Sequence, residues 1–325
     1  MKGDTMGKRI AILTSGGDAP GMNAVIRAVV RTGIHYGMKV YGVNQGYDGL
    51  IKGDVEPMTS RSVADIIFRG GTILKTARCP EMHTPEGVKK AAEVVKILRL
   101  DGLVIAGGDG SFKGALELSR LGVNVMGIPA TIDLDIQCTE YSIGFDTAVN
   151  TAVEAIIRIR DTSSSHERCS IVEVMGRDAG HLALWCGIAG GAEEVLIPEN
   201  PANTTEVIEQ ILLNRSKGKR HNLVVVAEGI GGSTQLAKEI EKVLGIESRA
   251  TILGHLQRGG TPTAADRMHG SVMGYMAVNA LHENNVNKVV TYIDGKHCLI
   301  DMEDAVSAKK QFSPEIYNIT KVLSI

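Results

Sequence analysis

Short runs of apolar, mostly β-branched residues alternate along the chain with longer stretches in which apolar positions recur at helical spacing. This alternation predicts an α/β fold in which a mostly parallel sheet is covered by helices on both faces. Strands are predicted at 9–13, 39–43, 102–106, 123–128, 170–174, 194–197, 223–227, 250–253 and 289–293. The clearest helical patterns cover 22–36, 112–121, 147–160, 204–217 and 235–244.

The length of 325 residues suits two domains, each long enough to bury its own core. No linker rich in Pro or Ser separates two halves of the chain. The domains are therefore expected to be intimately joined, with the chain crossing between them more than once. In folds of this class, ligands bind beyond the carboxyl ends of the strands.

The net charge is −2 with both signs interspersed, so no nucleic-acid-binding face is expected. No apolar run approaches the length of a membrane span, and the polar residues 1–5 do not resemble a signal peptide. The cysteines number five and form no C-x-x-C pair, which is typical of free thiols in a reducing compartment. We therefore expect a cytoplasmic protein.

Two glycine-rich turns each follow a predicted strand. The first carries Gly16 and Gly17 and leads directly into a helix, which suits an anion because glycine admits close approach and helix N-termini offer free N–H groups. An ordinary tight turn is the alternative. The second, at 106–111, has Asp109 among glycines, where a carboxylate can hold Mg²⁺ while N–H groups hold phosphates. No G-x-x-x-x-G-K-[ST] motif is present, which excludes a P-loop kinase. Together the turns favour a phosphate-rich ligand.

A pair of aspartates follows the strand at 123–128. If this segment is extended, Thr131, Asp133 and Asp135 share one face and Leu134 faces the other way. One carboxylate could then accept a hydroxyl proton while its neighbour supports a metal, although a solvated acidic loop is the alternative. General-base help is typically worth ~10²–10⁴ in rate, so the remainder must come from alignment and charge neutralisation.

Basic residues form two groups. In the first, each arginine lies at or near the end of a predicted strand, where its fork suits phosphate: Arg78, Arg168, Arg177, Arg249 and Arg258. Glu228, which ends the strand at 223–227, could orient sugar hydroxyls or cap a helix. The second group could form a separate anion pocket or consist of surface charges only: Arg27, Arg31, Arg160, Lys217 and Lys219.

Several blocks together resemble the bacterial ATP-dependent 6-phosphofructokinase family, from about Met6 to the C-terminus. They occur in the family's order and spacing, at 13–23, 107–111, 131–135, 160–168, 173–177 and 253–260. The resemblance implies two Rossmann-like three-layer α/β/α domains with mostly parallel sheets and an active site in the cleft between them. Residues 1–143 plus 256–306 would form an ATP-binding domain, and residues 144–255 plus 307–325 a fructose-6-phosphate-binding domain.

The implied reaction, the committed step of glycolysis, transfers the γ-phosphoryl group of MgATP to the 1-hydroxyl of fructose 6-phosphate. The residues that would carry out the transfer are Asp133 as the base, Thr131 and Asp135 in support, Arg177 as the neutralising charge, and Gly17. ATP would contact Gly17, Tyr47, Arg78, Cys79, Gly108, Asp109, Gly110 and Ser111, with Asp109 on Mg²⁺. The sugar phosphate would contact Thr131, Ile132, Asp133, Arg168, Met175, Gly176, Arg177, Glu228, Arg249, His255, Leu256, Gln257 and Arg258.

The resemblance also implies a homotetramer in which Arg168 and Arg249 reach the sugar phosphate from a neighbouring subunit. An effector site for ADP and phosphoenolpyruvate would contain Arg27, Arg31, Arg160, Gly191, Glu193, Lys217, Lys219, Arg220 and His221, with Glu193 as a metal contact. No nucleic acid or membrane is implied as a partner.

Two positions depart from the family's pattern. Leu134 stands where relatives usually have Asn, and Ala130 where they usually have Gly. The pyrophosphate-dependent branch resembles this chain but has Asp at position 110 and Lys at position 130, so Gly110 and Ala130 favour ATP. A Rossmann-type oxidoreductase remains as an alternative of another class, although the first turn lacks G-x-G-x-x-G. A catalytically inactive homologue is a third.

Overall fold

The structure, a computed structural model, describes residues 7–201, 203–308 and 314–323. These residues form two compact units. Unit 1 consists of the described parts of Met1–Thr131, Ile136–Asp146 and Arg258–Lys310, and unit 2 of the described parts of Ile132–Asp135, Thr147–Gln257 and Gln311–Ile325. Residues 132–135 thus group with unit 2, and not with the rest of the expected ATP-binding domain.

Unit 1 is built on one sheet whose strands run in the order β12-β11-β5-β4-β1-β2-β3, with β6 paired to β5. The outer pairs β2–β3 and β11–β12 are antiparallel, and the other pairs are parallel. The strands are β1 (Arg9–Ser15), β2 (Lys39–Val43), β3 (Val55–Met58), β4 (Gly102–Gly107), β5 (Val125–Thr131), β6 (Ile143–Gly144), β11 (Lys288–Ile293) and β12 (Lys296–Asp301). The helices are α1 (Met22–His35), α2 (Gly46–Lys52), α3 (Pro85–Ile97), α4 (Asp109–Arg120), α9 (Ala264–His282) and α10 (Met302–Ser307).

Both faces of the unit 1 sheet are buried, which explains the uninterrupted apolar runs. Ala11 and Leu13 of β1 belong to a core that also includes Phe112 of α4. On the opposite face, Ile10 and Val40 pack against Gly33 of α1, where a β-carbon would lie 3.3 Å from Ile10 Cδ1. Because neighbouring residues of a strand point to opposite faces, a strand covered on both sides is apolar throughout.

Unit 2 has a smaller, fully parallel sheet with strand order β10-β7-β9-β8. Its strands are β7 (Cys169–Val174), β8 (Glu194–Leu196), β9 (Asn222–Ala227) and β10 (Ser248–Ile252). Its helices are α5 (Phe145–Ser165), which begins in unit 1, α6 (His181–Gly190), α7 (Thr204–Ser216), α8 (Ser233–Leu244) and α11 (Pro314–Leu323).

Helices cover both faces of this second sheet as well. Val224 of β9 packs in one core with Ile211 of α7 and Ile240 of α8. On the other face, Gly187 of α6 lies against Val195 of β8, where no room remains for a β-carbon. Each unit is therefore a three-layer α/β/α structure with a mostly parallel sheet, and the predicted fold class is confirmed.

Every strand and helix named from the sequence pattern lies on an observed element of the same type. The helix α9 was not among the named patterns because it packs through small residues and has no clear apolar stripe. Gly274 of α9 approaches α1 so closely that a β-carbon would lie 2.7 Å from Ala28 Cβ. Within the described ranges, no helix has the length and apolar character needed to cross a lipid bilayer.

Candidate functional site

The first glycine-rich turn joins β1 to α1. Gly16 has φ +89° and Gly21, the residue before α1, has φ +107°, both in the left-handed region that favours glycine. Gly17 between them is exposed. The turn therefore presents accessible backbone N–H groups beside a helix N-terminus, an arrangement that suits an anion.

The second turn lies beside the first because β1 and β4 are neighbours, with Ser15 opposite Gly107. Ser111 in the first turn of α4 donates its hydroxyl to the carbonyl of Ser15 at 3.3 Å. Tyr47, expected to contact ATP, is buried and donates its hydroxyl to the carbonyl of Ser111 at 2.7 Å. Burial raises the pKa of Tyr47, so its hydroxyl remains a donor. In this structure Tyr47 therefore stabilises the second turn through its hydrogen bond to Ser111.

Asp109 is the carboxylate of the second turn. It stands at the start of α4, with its Oδ2 2.6 Å from Lys113 Nζ and its side chain partly exposed. At Gly110 a β-carbon would meet no atom within 4 Å, so the turn opens onto free space. Among the residues that the structure describes, no group of three or more His, Cys, Asp or Glu side chains could hold a metal ion. A lone carboxylate fits Mg²⁺, which usually takes one or two protein carboxylates together with substrate phosphates.

A third segment, residues 69–76, is bound to the first turn and leads to the expected ATP contacts Arg78 and Cys79. Thr76 donates its hydroxyl to the carbonyl of Gly16 at 2.8 Å, and Thr14 donates to the carbonyl of Lys75 at 2.8 Å. Arg78 is exposed and Cys79 is half-buried, and burial raises the pKa of the Cys79 thiol. Thr76 could not be identified from the sequence, because nothing in the local pattern indicates a contact with a residue sixty positions away.

Arg258 also belongs to unit 1 and contacts the first turn. Its Nη1 donates to the carbonyl of Asp18 at 3.1 Å. A β-carbon at Gly17 would lie 2.6 Å from the same nitrogen, so glycine at this position is what lets the guanidinium approach the backbone. Thr131 ends β5, and its carbonyl accepts a hydrogen bond from the Ser142 hydroxyl at 2.7 Å.

In unit 2, the paired aspartates adopt a turn that the sequence did not predict. Leu134 has φ +52°, so the segment is not extended and the expected alternation of Thr131, Asp133 and Asp135 on one face is wrong. Asp133 is only 2% exposed and Ile132 is fully buried. Asp135 Oδ2 lies 3.6 Å from Nη1 of Arg177. The structure thus brings the predicted base, its neighbour and the predicted arginine into one unit.

The turn that carries Arg177 is held by Glu228. The Oε1 atom of Glu228 accepts the N–H groups of Gly176 at 3.1 Å and Arg177 at 2.6 Å. Arg177 has φ +53°, a conformation that is uncommon for a residue other than glycine. The N–H of Met175 is bound by Oε1 of the buried Gln257 at 2.8 Å. These hydrogen bonds connect one group of residues: Met175, Gly176, Arg177, Glu228 and Gln257. His255 and Leu256, on the turn that precedes Gln257, are exposed.

Arg168 and Arg249 lie at the amino ends of the strands of the same sheet. Arg168 precedes β7 and Arg249 is the second residue of β10, whereas Arg177 follows the carboxyl end of β7. The rise along β7 from Cys169 to Val174 separates the amino ends of the strands from their carboxyl ends by about 17 Å. Both arginines pair with Glu247, at 2.6 Å from Arg168 Nε and 2.8 Å from Arg249 Nη2, and these bonds lower the pKa of Glu247. Sequence reasoning missed Glu247, a surface acid without a motif.

Part of the predicted effector site is assembled in unit 2. Glu193 is 2% exposed, and its Oε1 lies 3.0 Å from Lys219 Nζ and 3.9 Å from Arg160 Nη2. Arg160 also donates to the carbonyls of Gly190 and Gly191, each at 2.8 Å. These contacts place a buried carboxylate beside two cations, which suits recognition of an anion together with a metal.

The other predicted effector residues are distributed more widely. Arg220 pairs with Glu167 at 2.8 Å, and Lys217 is exposed just after α7. His221 follows Arg220 and is half-buried. Arg27 and Arg31 lie on α1 of unit 1. A pocket shared by all of these residues stays a prediction.

The geometry of unit 1 defines a class of protein. A parallel sheet whose neighbouring strands end in open glycine-rich turns, one of them with a carboxylate, is typical of proteins that bind phosphorylated ligands with a metal ion. Unit 2 has a buried carboxylate, Asp133, and an arginine in contact with Asp135, and groups of these types occur in phosphoryl-transfer sites.

Comparison with known proteins assigns the chain more narrowly. Residues 9–281 match the phosphofructokinase family, and the chain belongs to that family. It is 55% identical over 98% of its length to an ATP-dependent 6-phosphofructokinase of Clostridium botulinum, of which it covers 99%. The structure matches phosphofructokinase from Saccharomyces cerevisiae with a TM-score of 0.86, at 35% identity over 98% of this chain and 48% of the yeast chain. It shares its fold with a pyrophosphate-dependent phosphofructokinase of Marinobacter aquaeolei, at a TM-score of 0.82 and 22% identity over 95% of this chain and 86% of the other. The predicted family resemblance is confirmed.

Proposed function

We propose that the chain is an enzyme with ATP-dependent 6-phosphofructokinase activity, which transfers a phosphoryl group from ATP to the 1-hydroxyl of fructose 6-phosphate. Its family and its 55% identity to relatives of that name support the reaction. The structural observation that carries the proposal is the pair of adjoining glycine-rich turns, which leave Gly17 exposed and Gly110 open.

The polyphosphate of ATP lies along these turns. Gly17 and the first turn of α4 supply backbone N–H groups, and exposed Arg78 supplies positive charge. Asp109 would hold Mg²⁺, and its carboxylate already pairs with a cation, Lys113, at 2.6 Å. When bound, Mg²⁺ neutralises charge on the phosphates and on the transferring group.

Asp133 accepts the proton of the sugar hydroxyl as that oxygen attacks phosphorus. Its burial keeps the carboxylate out of bulk water, and such general-base assistance is typically worth ~10²–10⁴ in rate. Arg177 neutralises charge on the group in transfer, and its contact with Asp135 directs the guanidinium towards this turn. The remaining contacts to the sugar phosphate that lie in unit 2 come from Met175, Gly176, Glu228 and His255.

Arg168 and Arg249 serve the sugar phosphate of a neighbouring subunit. Their position at the edge of the unit 2 sheet opposite Arg177 supports this division, because a side chain cannot span the length of β7. The active enzyme is then an oligomer, expected to be a homotetramer. Mixing an inactive Arg249→Ala variant with an inactive Asp133→Ser variant should restore activity by complementation. Mixed oligomers without any recovered activity would count against shared sites.

ATP is the phosphoryl donor in preference to pyrophosphate. Gly110 and the buried Ala130 lack the carboxylate and the ammonium group that the pyrophosphate-dependent branch carries at these positions. The deciding experiment supplies fructose 6-phosphate with either ATP or pyrophosphate and measures fructose 1,6-bisphosphate. Product from ATP alone is expected, and product from pyrophosphate alone would reverse the assignment.

ADP and phosphoenolpyruvate regulate the enzyme through the group around Glu193. Arg160 and Lys219 bind the anionic part of an effector, and Glu193 can hold the metal of a nucleoside diphosphate. Turnover at low fructose 6-phosphate should change when either effector is added, and Lys219→Ala should reduce that response while leaving unregulated turnover intact. A variant that responds like the wild type would contradict this effector site.

A further inference from the structure

Thr76 fixes the orientation of one peptide group in the first glycine-rich turn. Its hydroxyl donates to the carbonyl oxygen of Gly16 at 2.8 Å. That carbonyl belongs to the peptide bond between Gly16 and Gly17. A trans peptide is planar and its C=O and N–H groups point in opposite directions. The hydrogen bond to Thr76 therefore also determines where the N–H of Gly17 points, which is away from the 69–76 segment.

This orientation needs an external constraint because glycine supplies little of its own. Gly16 and Gly17 lack β-carbons, so the peptide between them can rotate over a wide range of backbone angles. A rotation of this peptide would turn the Gly17 N–H away from a bound anion without moving any other part of the turn. One hydrogen bond at the carbonyl favours a single orientation about 3- to 10-fold.

The 69–76 segment is itself tightly held, so Thr76 is a fixed donor. Buried Asn23 of α1 donates to the carbonyl of Arg69 at 3.0 Å and accepts the N–H of Ile73 at 2.9 Å. Thr72 and Thr14 share a hydroxyl contact at 3.0 Å. The segment is thereby bound both to the start of α1 and to the end of β1, on either side of the turn that it orients.

We propose that Thr76 is a positioning residue for nucleotide binding: by fixing the Gly16–Gly17 peptide, its hydroxyl directs the N–H of Gly17 towards a phosphate of the nucleotide. This inference rests on the proposed function, in which Gly17 contacts ATP. Thr76 itself touches the turn and not the nucleotide. It therefore affects the affinity for phosphates and leaves recognition of the base unaffected.

The variants Thr76→Val and Thr76→Ser test the proposal with nearly unchanged side-chain shape. Valine removes the donor, and serine keeps it. Thr72→Val is the matched control, because it removes a hydroxyl contact from the same segment without touching the carbonyl of Gly16. The bonds from Asn23 and from Thr14 to Lys75 still hold the segment in this variant. Affinity is measured by displacement of a fluorescent ATP analogue with ATP or with adenosine, and folding by thermal unfolding.

Thr76→Val should weaken ATP about 3- to 10-fold, which is the worth of one hydrogen bond, and leave adenosine unchanged. Thr76→Ser should restore the affinity for ATP, and Thr72→Val should bind both ligands like the wild type. The KM for fructose 6-phosphate should not change in any variant. If Thr76→Val does not fold, Thr76→Ala makes the same comparison.

Equal weakening of ATP and adenosine, or no weakening of either, overturns the inference and leaves Thr76 a purely structural residue. Failure of the proposed function has a different signature: wild-type protein that makes no fructose 1,6-bisphosphate from ATP and fructose 6-phosphate. The variant comparison and the wild-type turnover assay therefore fail independently of each other.

Discussion

Replacing Glu228 tests how the Arg177 turn is held for catalysis. One carboxylate oxygen accepts the N–H groups of both Gly176 and Arg177. Alanine removes that acceptor, whereas glutamine keeps an oxygen of equal reach without the negative charge. Arg177 is in the left-handed region, which a residue other than glycine leaves readily once its backbone is released. Glu228→Ala should therefore free the turn and misplace the guanidinium.

The expected loss follows from the value of the hydrogen bonds. A hydrogen bond to a charged acceptor contributes about 1.5–3 kcal/mol, and here two N–H groups share one oxygen. If the turn is released, kcat of Glu228→Ala falls by about 10- to 150-fold, since about 1.4 kcal/mol corresponds to a factor of ten. Glu228→Gln keeps a neutral hydrogen bond worth about 1 kcal/mol, so its kcat should fall by less than about tenfold.

Steady-state kinetics with both substrates separates the two roles that Glu228 could have. A fall in kcat indicates that Glu228 positions Arg177, whereas a rise in the KM for fructose 6-phosphate at constant kcat would refute this reasoning and leave only a sugar contact. Glu199→Ala is the matched control. Its carboxylate also accepts a backbone N–H of unit 2, that of Gly180 at 2.9 Å, whereas the N–H groups of Gly176 and Arg177 go to Glu228.

Three further outcomes are expected. Asp133→Asn should lower kcat by about 10²- to 10⁴-fold while ATP still binds, and a variant with wild-type turnover would remove Asp133 as the base. Leu134→Asn should lower the free energy of unfolding by about 1 kcal/mol, as measured in denaturant. The lost burial costs about 2 kcal/mol, and the relief of left-handed strain returns about 1 kcal/mol. A variant more stable than the wild type would show that strain outweighs burial at this position. Burial lowers the pKa of both His269 and His297 below the ordinary 6.5. The unfolded chain therefore binds more protons than the folded one, and stability should fall as the pH drops below about 6.5. His297→Gln should flatten this pH dependence, which is measured by thermal unfolding between pH 5 and pH 8.

The strands and glycine-rich turns could be predicted because their signals are local. The run from Ile10 to Leu13 is apolar because both faces of β1 are covered. The turn after it contains Gly16 and Gly21 at positions where the backbone has positive φ, which few other residues adopt. A window of about ten residues is therefore enough to predict a buried strand and the glycine-rich turn that follows it.

The contacts that hold the site together could not be predicted in the same way. Thr76 and Gly16 are sixty residues apart, and Glu228 is more than fifty residues from the turn that it binds. Neither residue type is unusual at its position. Glu247 likewise becomes informative only when Arg168 and Arg249 lie on either side of it. Long-range pairing of common polar residues leaves no local pattern.

The error at Leu134 has a physical cause of the same kind. An extended segment was the natural expectation after a strand, yet Leu134 takes a left-handed conformation that disfavours a branched side chain by about 1–2 kcal/mol. Leu134 is only 6% exposed, and burying a leucine contributes about 1.5–3 kcal/mol, which is enough to offset the strain. Burial of the side chain therefore decides the backbone at this position.

The turn of the paired aspartates and the Arg177 turn are in contact through Asp135 and Arg177. Each turn contains one residue other than glycine with positive φ, Leu134 in the first and Arg177 in the second. Each conformation is unfavourable by itself, and each is compensated by a different interaction, burial for Leu134 and the Glu228 carboxylate for Arg177. Because the compensations are separate, the two turns can be loosened one at a time. Leu134→Asn should therefore act mainly on stability and Glu228→Ala mainly on turnover. The double variant measures the coupling between the two turns, which are in contact through Asp135 and Arg177.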